Sequence, residues 1–111
     1  MTLDEYQRAA ARTIPEHLTV QERLSHAGFM LAAEAGEVAG LLQKTYQGHP
    51  LDRERVAAEA GDCLWALAYL CGTLGLSLDE VAAANIAKLE RRYAERFTAA
   101  ESLARVDEVA R

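Results

Sequence analysis

The chain has 111 residues, half of them hydrophobic and 26% charged, which is enough apolar material for one folded domain and too much for a disordered segment. The net charge of −5 excludes the strong basic excess of a protein that wraps a nucleic-acid polymer, although a few local cations can still hold a small anion. The opening MTLDEYQRAAARTIPEH has no basic start followed by an apolar run, and no stretch approaches the ~18 apolar residues of a membrane span, so the expected setting is the cytoplasm, away from membranes.

Helix signals dominate the rest. Thr2 with Glu5, Thr19 with Glu22, Ser77 with Glu80 and Thr98 with Glu101 each match a capping box, in which hydroxyl and carboxylate satisfy the first free N–H groups of a helix. The helix opening near Val20 is expected to stop at Gly48, with Pro50 just beyond. A second long helix runs from about Asp52 to Gly72, and after the turn GTLGLS a third runs from Ser77 to about Arg96. With the N-terminal helix and a short one in ESLARVDEVAR, the expectation is an all-α, four-helix bundle-like core with a short extra C-terminal helix, one domain over residues 1–111, completed by oligomerisation. No segment alternates as a strand does, and no linker divides the chain.

In the helix from Asp52, Val56, Cys63, Leu67, Leu70 and Leu74 fall near a heptad seam, the stripe expected to face the bundle. Cys63 and Cys71, about 12 Å apart on one helix, are too distant for a disulfide and read as free thiols.

Two nearly identical hexapeptides, AAEAGE at 32–37 and AAEAGD at 57–62, lie within the two long helices. Of the seventeen acidic residues only Glu34 with Glu37 and Glu59 with Asp62 stand three apart, a spacing that points both carboxylates from one helix face. Packed antiparallel, the two helices would gather four acids, and each pair at ~5 Å costs about 3 kcal/mol at an effective dielectric near 20. Such a cluster needs a counter-charge. Oxygen-only ligands suit Mg²⁺, with Mn²⁺ as a substitute, whereas Zn²⁺ recruits His or Cys, and no glutamate here has the histidine three residues on that di-iron bundles use. Gly36 and Gly61 cost helix stability of roughly 1 kcal/mol each, which suggests that a helix, a water or a phosphate approaches the backbone there.

Asn85, Lys88 and Arg92 share one helix face suited to outer phosphates, although Arg91 and Arg92 also suit the end of a helix. Lys44 follows Glu37 by seven residues and could reach a phosphate. Trp65 and Tyr69, one and two turns beyond Asp62, offer rings for a base or for a core or subunit interface. His26 reads as packing or surface.

These blocks in order resemble the MazG-like nucleotide pyrophosphohydrolases, relatives of the dimeric dUTPases and of phosphoribosyl-ATP pyrophosphatase. The hallmark is E-x-x-E on one helix and E-x-x-D on the next, here Glu34-Ala-Gly-Glu37 and Glu59-Ala-Gly-Asp62, followed by CLWALAYL and by NIAKLERRY, over roughly residues 20 to 96. The sequence departs from many relatives at Ala33 and Ala58, where a further acid often precedes each motif, and at Ala94, where proline often follows the tyrosine.

The resemblance implies metal-dependent cleavage of a nucleoside triphosphate between the α and β phosphates, giving a monophosphate and pyrophosphate in housecleaning or pool control. It casts the four acids as metal ligands and catalytic groups, with Glu37 or Glu34 as proton acceptor, and Asn85, Lys88 and Arg92 as phosphate contacts. It also implies a homodimer or a dimer of dimers. Two other readings stand beside it: a non-enzymatic helical interaction module, and a related pyrophosphatase with a dedicated biosynthetic substrate such as phosphoribosyl-ATP.

Overall fold

The computed structural model describes residues 1–93 and 99–104. All regular structure among them is helical: α1 (Leu3–Ala11), α2 (Val20–Lys44), a 3₁₀ turn (Thr45–Gln47), α3 (Arg53–Thr73), α4 (Leu78–Tyr93) and α5 (Ala99–Ala104). The chain divides into two compact units, Met1–Ser77 with α1 to α3 and Leu78–Arg111 with α4 and α5. The expected all-α class is what the structure shows.

Local chemistry sets the helix ends. At α1 and α2 both halves of the capping box form: Glu5 N–H donates to Thr2 Oγ1 (3.0 Å) and Thr2 N–H to Glu5 Oε1 (3.1 Å), with Glu22 and Thr19 paired likewise (3.1 and 3.0 Å). At α3, Asp52 accepts from Arg55 N–H at 3.1 Å. Helix α4 starts one residue after Ser77, as expected, and the Ser77 hydroxyl donates to both Asp4 carboxylate oxygens at 2.8 and 2.9 Å. Thr98 and Arg96 lie outside the described residues, as does 105–111.

Glycine closes the two long helices in the same way. Gly48 (φ 91°) and Gly75 (φ 72°) take the left-handed conformation, which a side chain would strain. At each, paired bonds tie the chain back to the last turn: His49 N–H to Lys44 O and Gly48 N–H to Thr45 O, then Leu76 N–H to Cys71 O and Gly75 N–H to Gly72 O. This Schellman arrangement satisfies carbonyls that the helix itself leaves free.

Helices α2 and α3 form an antiparallel hairpin, since His26 meets Tyr69 while Glu34 meets Glu59 and Asp62. Helix α1 lies against the C-terminal part of α3, where the Gln7 amide donates to Ala68 O (3.3 Å) and Leu76 O (3.0 Å) and Trp65 Nε1 donates to Thr13 Oγ1 (2.7 Å). Tyr69 is the largest fully buried side chain among the described residues, with T-shaped contacts to His26 (5.4 Å) and Trp65 (5.3 Å) and its hydroxyl 3.0 Å from His26 Nδ1. Cys63 is a half-buried and Cys71 a buried free thiol.

The heptad seam needs correction. Leu67 and Leu74 are 39% and 53% exposed, while Ala66, Ala68, Tyr69 and Cys71 are buried. Helix α2 covers the side of α3 bearing Tyr69 and the acids, and α1 covers the side bearing Trp65 and Ala68. At 100° per residue, Leu67 and Leu74 project from the side that neither helix covers.

Gly36 and Gly61 have open space around them, because a Cβ built at either would meet nothing within 4 Å among the described residues. Close approach of another helix among the described residues is therefore not what they provide. Gly36→Ala and Gly61→Ala should each stabilise the isolated chain by about 0.5–1 kcal/mol, read as a shift of the urea midpoint at constant m-value. A loss of stability in either would show that something occupies that space.

Candidate functional site

The two hexapeptides fall in the middle of α2 and α3, well inside regular helix, so that each acid's place is fixed by its helix rather than by a loop. Antiparallel packing then does what the spacing suggests, for three acids of the four. Carboxylate oxygens of Glu34, Glu59 and Asp62 lie within 4.8 Å of one another, with Glu34 and Glu59 half-buried and Asp62 exposed. Glu37, one turn along α2, is exposed and outside this trio, though its charge still acts on Glu34.

The trio is electrostatically crowded. Burial first, then a hydrogen bond with Glu59 and the charges of Asp62, Glu59 and Glu37, holds the Glu34 carboxyl above its ordinary value of 4.5. Part of this negative charge extends to α1, since burial and then the Asp62 carboxylate raise the pKa of the Tyr6 phenol. Tyr6 is thus a neighbour of the site absent from the sequence-based candidates, and nothing in its local pattern signals a position beside residue 62.

The oxygens present fit a hard divalent cation. On octahedral Mg²⁺ with bonds of ~2.1 Å, neighbouring ligands stand about 3.0 Å apart and opposed ones about 4.2 Å, so oxygens that lie within 4.8 Å of one another close by up to roughly 2 Å on binding, a movement within reach of side-chain rotation. No nitrogen or sulfur ligand belongs to the group.

Glu34 also gives the metal-free protein a pH dependence of defined sign. A carboxyl whose pKa is higher folded than unfolded binds its proton more tightly in the native state, so its contribution to stability is complete below the unfolded value and is lost as pH rises through the raised folded value. Thermal midpoints measured with a chelator should fall across the window from about 4.5 upward, and saturating Mg²⁺ should reverse that fall, because the cation replaces the proton. A midpoint that rises across this window with chelator present would contradict the assignment.

Other candidates are placed less uniformly. Tyr69 is 1% exposed, both its ring and its hydroxyl engaged, so it offers no face to a base and takes the core role of its two expected ones. Trp65 is half-buried, its N–H held by Thr13 and its ring against Tyr69, and ties the turn that follows α1 to α3. His26 is a packing residue, as one of its two expected roles had it. Lys44 ends α2 and faces a cleft at the hairpin loop. Asn85, Lys88 and Arg92 all lie within α4, in the second unit, at positions that share a helix face.

Comparison with known proteins gives one match. Residues 24–97 match the model of the MazG nucleotide pyrophosphohydrolase domain, two-thirds of the chain, covering both acidic motifs and all of α4. No curated protein and no solved structure matches the chain. The chain belongs to the MazG nucleotide pyrophosphohydrolase domain family, a family of hydrolases.

Proposed function

We propose that this protein is a metal-dependent nucleoside triphosphate pyrophosphohydrolase, cleaving a (d)NTP between the α and β phosphates to a (d)NMP and pyrophosphate in cytoplasmic housecleaning or pool control. The observation that carries this reading is the convergence of Glu34, Glu59 and Asp62 from two helices onto one point in a chain of the MazG family. Glu34, Glu59 and Asp62 hold the Mg²⁺, for which Mn²⁺ can substitute, and Glu37 completes the ligand set from the adjacent turn. The bound cation supplies Lewis-acid polarisation of phosphate oxygens and makes the attacking water more acidic.

The remaining steps belong to the chain's own groups. Glu37 or Glu34 accepts the proton of the attacking water. Lys44 and the α4 residues Asn85, Lys88 and Arg92 hold the phosphate chain and offset charge that develops on it. The family match crosses the boundary at Ser77, which supports treating residues 1–111 as one functional domain. Leu67 and Leu74 leave an apolar side of α3 exposed, which supports self-association as a homodimer or a dimer of dimers.

The test is pyrophosphate release from a panel of canonical and modified NTPs and dNTPs, with phosphoribosyl-ATP included, in Mg²⁺ or Mn²⁺, alongside folded Glu37→Gln and Asp62→Asn variants. Metal-dependent release that both variants lose is the expected result. No turnover from any substrate, with no detectable metal binding, would leave an interaction module as the better reading.

A further inference from the structure

At the loop end of the α2–α3 hairpin, Leu41, Lys44, His49, Pro50, Asp52 and Arg55 line a cleft of about 230 Å³. By helical spacing this cleft lies on the loop side of the acids along the seam between α2 and α3. Leu41 and Lys44 follow Glu37 by four and seven residues on one face of α2, and Arg55 precedes Glu59 by four on α3, about 6 Å along the axis. Charge along this seam therefore changes sign over one to two helical turns, from carboxylates at its middle to cations at its loop end.

Local helix energetics favours Lys44, in the last turn of α2, but does not explain Arg55. Arg55 stands in the first turn of α3, where the helix dipole disfavours positive charge, and the Asp52 carboxylate beside it accepts from a backbone N–H. Among the described residues neither the Lys44 nor the Arg55 side chain pairs with a carboxylate. Two cations facing one cleft against the single carboxylate of Asp52 leave it with an excess of positive charge, which an anion in the cleft offsets.

We propose that this cleft binds the terminal phosphates of the nucleotide's phosphate chain, and so the pyrophosphate product, with Lys44 and Arg55 as its principal contacts. The proposal rests on the pyrophosphohydrolase reading of the acid cluster, and it makes phosphate-chain length a quantity that this protein measures. A chain whose inner phosphate sits at the acids runs toward the loop along this seam. A guanidinium grips two oxygens of a terminal phosphate at once, Lys44 adds a point charge opposite, and a monophosphate ends before reaching either.

The test titrates inorganic pyrophosphate into the full chain by calorimetry in Mg²⁺ buffer, and Mg²⁺ alone in parallel. The double variant Lys44→Ala/Arg55→Ala should bind pyrophosphate weaker by about tenfold for each cation removed, with its Mg²⁺ affinity unchanged. Arg53→Ala removes the same charge two residues from Arg55 but outside this cleft, and should stay within about twofold of wild type. Lys44→Arg should retain binding. Equal affinity of the double variant and wild type, an equal loss in Arg53→Ala, or no binding by wild type would each overturn the proposal. Because binding is read without turnover, the two readings separate. A nucleotide panel that turns over beside an unaffected double variant removes the cleft alone. The expected binding losses without any nucleotide turnover support the cleft as a pyrophosphate site and remove the enzymatic reading.

Discussion

Glu34→Gln is expected to leave the metal-free protein more thermostable than wild type and to lower metal-dependent pyrophosphate release by about 10³-fold. The two effects share one origin. Glu34 is the member of the trio on which the charges of Glu37, Glu59 and Asp62 all bear, and the neutral amide removes that crowding while keeping the side chain's shape. On the proposed reading the same change also removes a ligand from a cation whose charge stabilisation is worth several kcal/mol in the transition state, which is three powers of ten at ~1.4 kcal/mol each. Wild type should gain stability with added Mg²⁺ as the cation binds only the folded state, and the variant should gain much less. Scanning calorimetry with chelator and with Mg²⁺, paired with the pyrophosphate assay, reads both. A variant less stable than wild type in chelator, or one that keeps its turnover, would count against a cation held by Glu34.

The second large effect is structural. Tyr69→Ala should destabilise the fold by about 3–5 kcal/mol, a large part of the ~5–15 kcal/mol that a domain of this size possesses. Tyr69 is the largest fully buried side chain among the described residues, touching a ring from α2 through His26 and one from α3 itself through Trp65. Truncation leaves a cavity at the point where the hairpin is joined. Tyr69→Phe removes only the contact with His26 Nδ1 and should cost about 1 kcal/mol. Urea unfolding of the two variants decides the matter. Similar losses in both would show that the hydroxyl, not the ring, carries the contribution.

The parts of this architecture that were legible in the sequence are those fixed by contacts three to five residues apart. The Thr2–Glu5 and Thr19–Glu22 boxes and the left-handed closures at Gly48 and Gly75 use only neighbours, so their chemistry is written locally. The acid pairs were legible for the same reason, since helical spacing alone orients Glu34 with Glu37 and Glu59 with Asp62. Which side of α3 would be covered was not legible. The heptad pattern favoured Leu67 and Leu74, yet α1 and α2 settle on other sides, a choice made by residues far away in the chain such as Gln7, Thr13 and His26. Which of its two expected roles Tyr69 takes, base or core, is illegible for the same reason, because burial by α2 leaves no mark on the CLWALAYL run itself. Tyr6 beside Asp62 and the cleft shared by Lys44 and Arg55 likewise arise only when separate elements meet.

The tie between Trp65 and Thr13 gives the molecule an optical gauge. Trp65 is the chain's single tryptophan, half-buried where α1 joins α3 and three residues beyond Asp62. Its emission has no competing indole to dilute it. Detachment of α1 should admit water to the ring and shift the spectrum to the red, and a cation bound as proposed at the acid cluster should perturb the same fluorophore from one helical turn away. Emission then becomes a probe of unfolding, and of the proposed metal binding, in the unlabelled protein, with Trp65→Phe as the dark control.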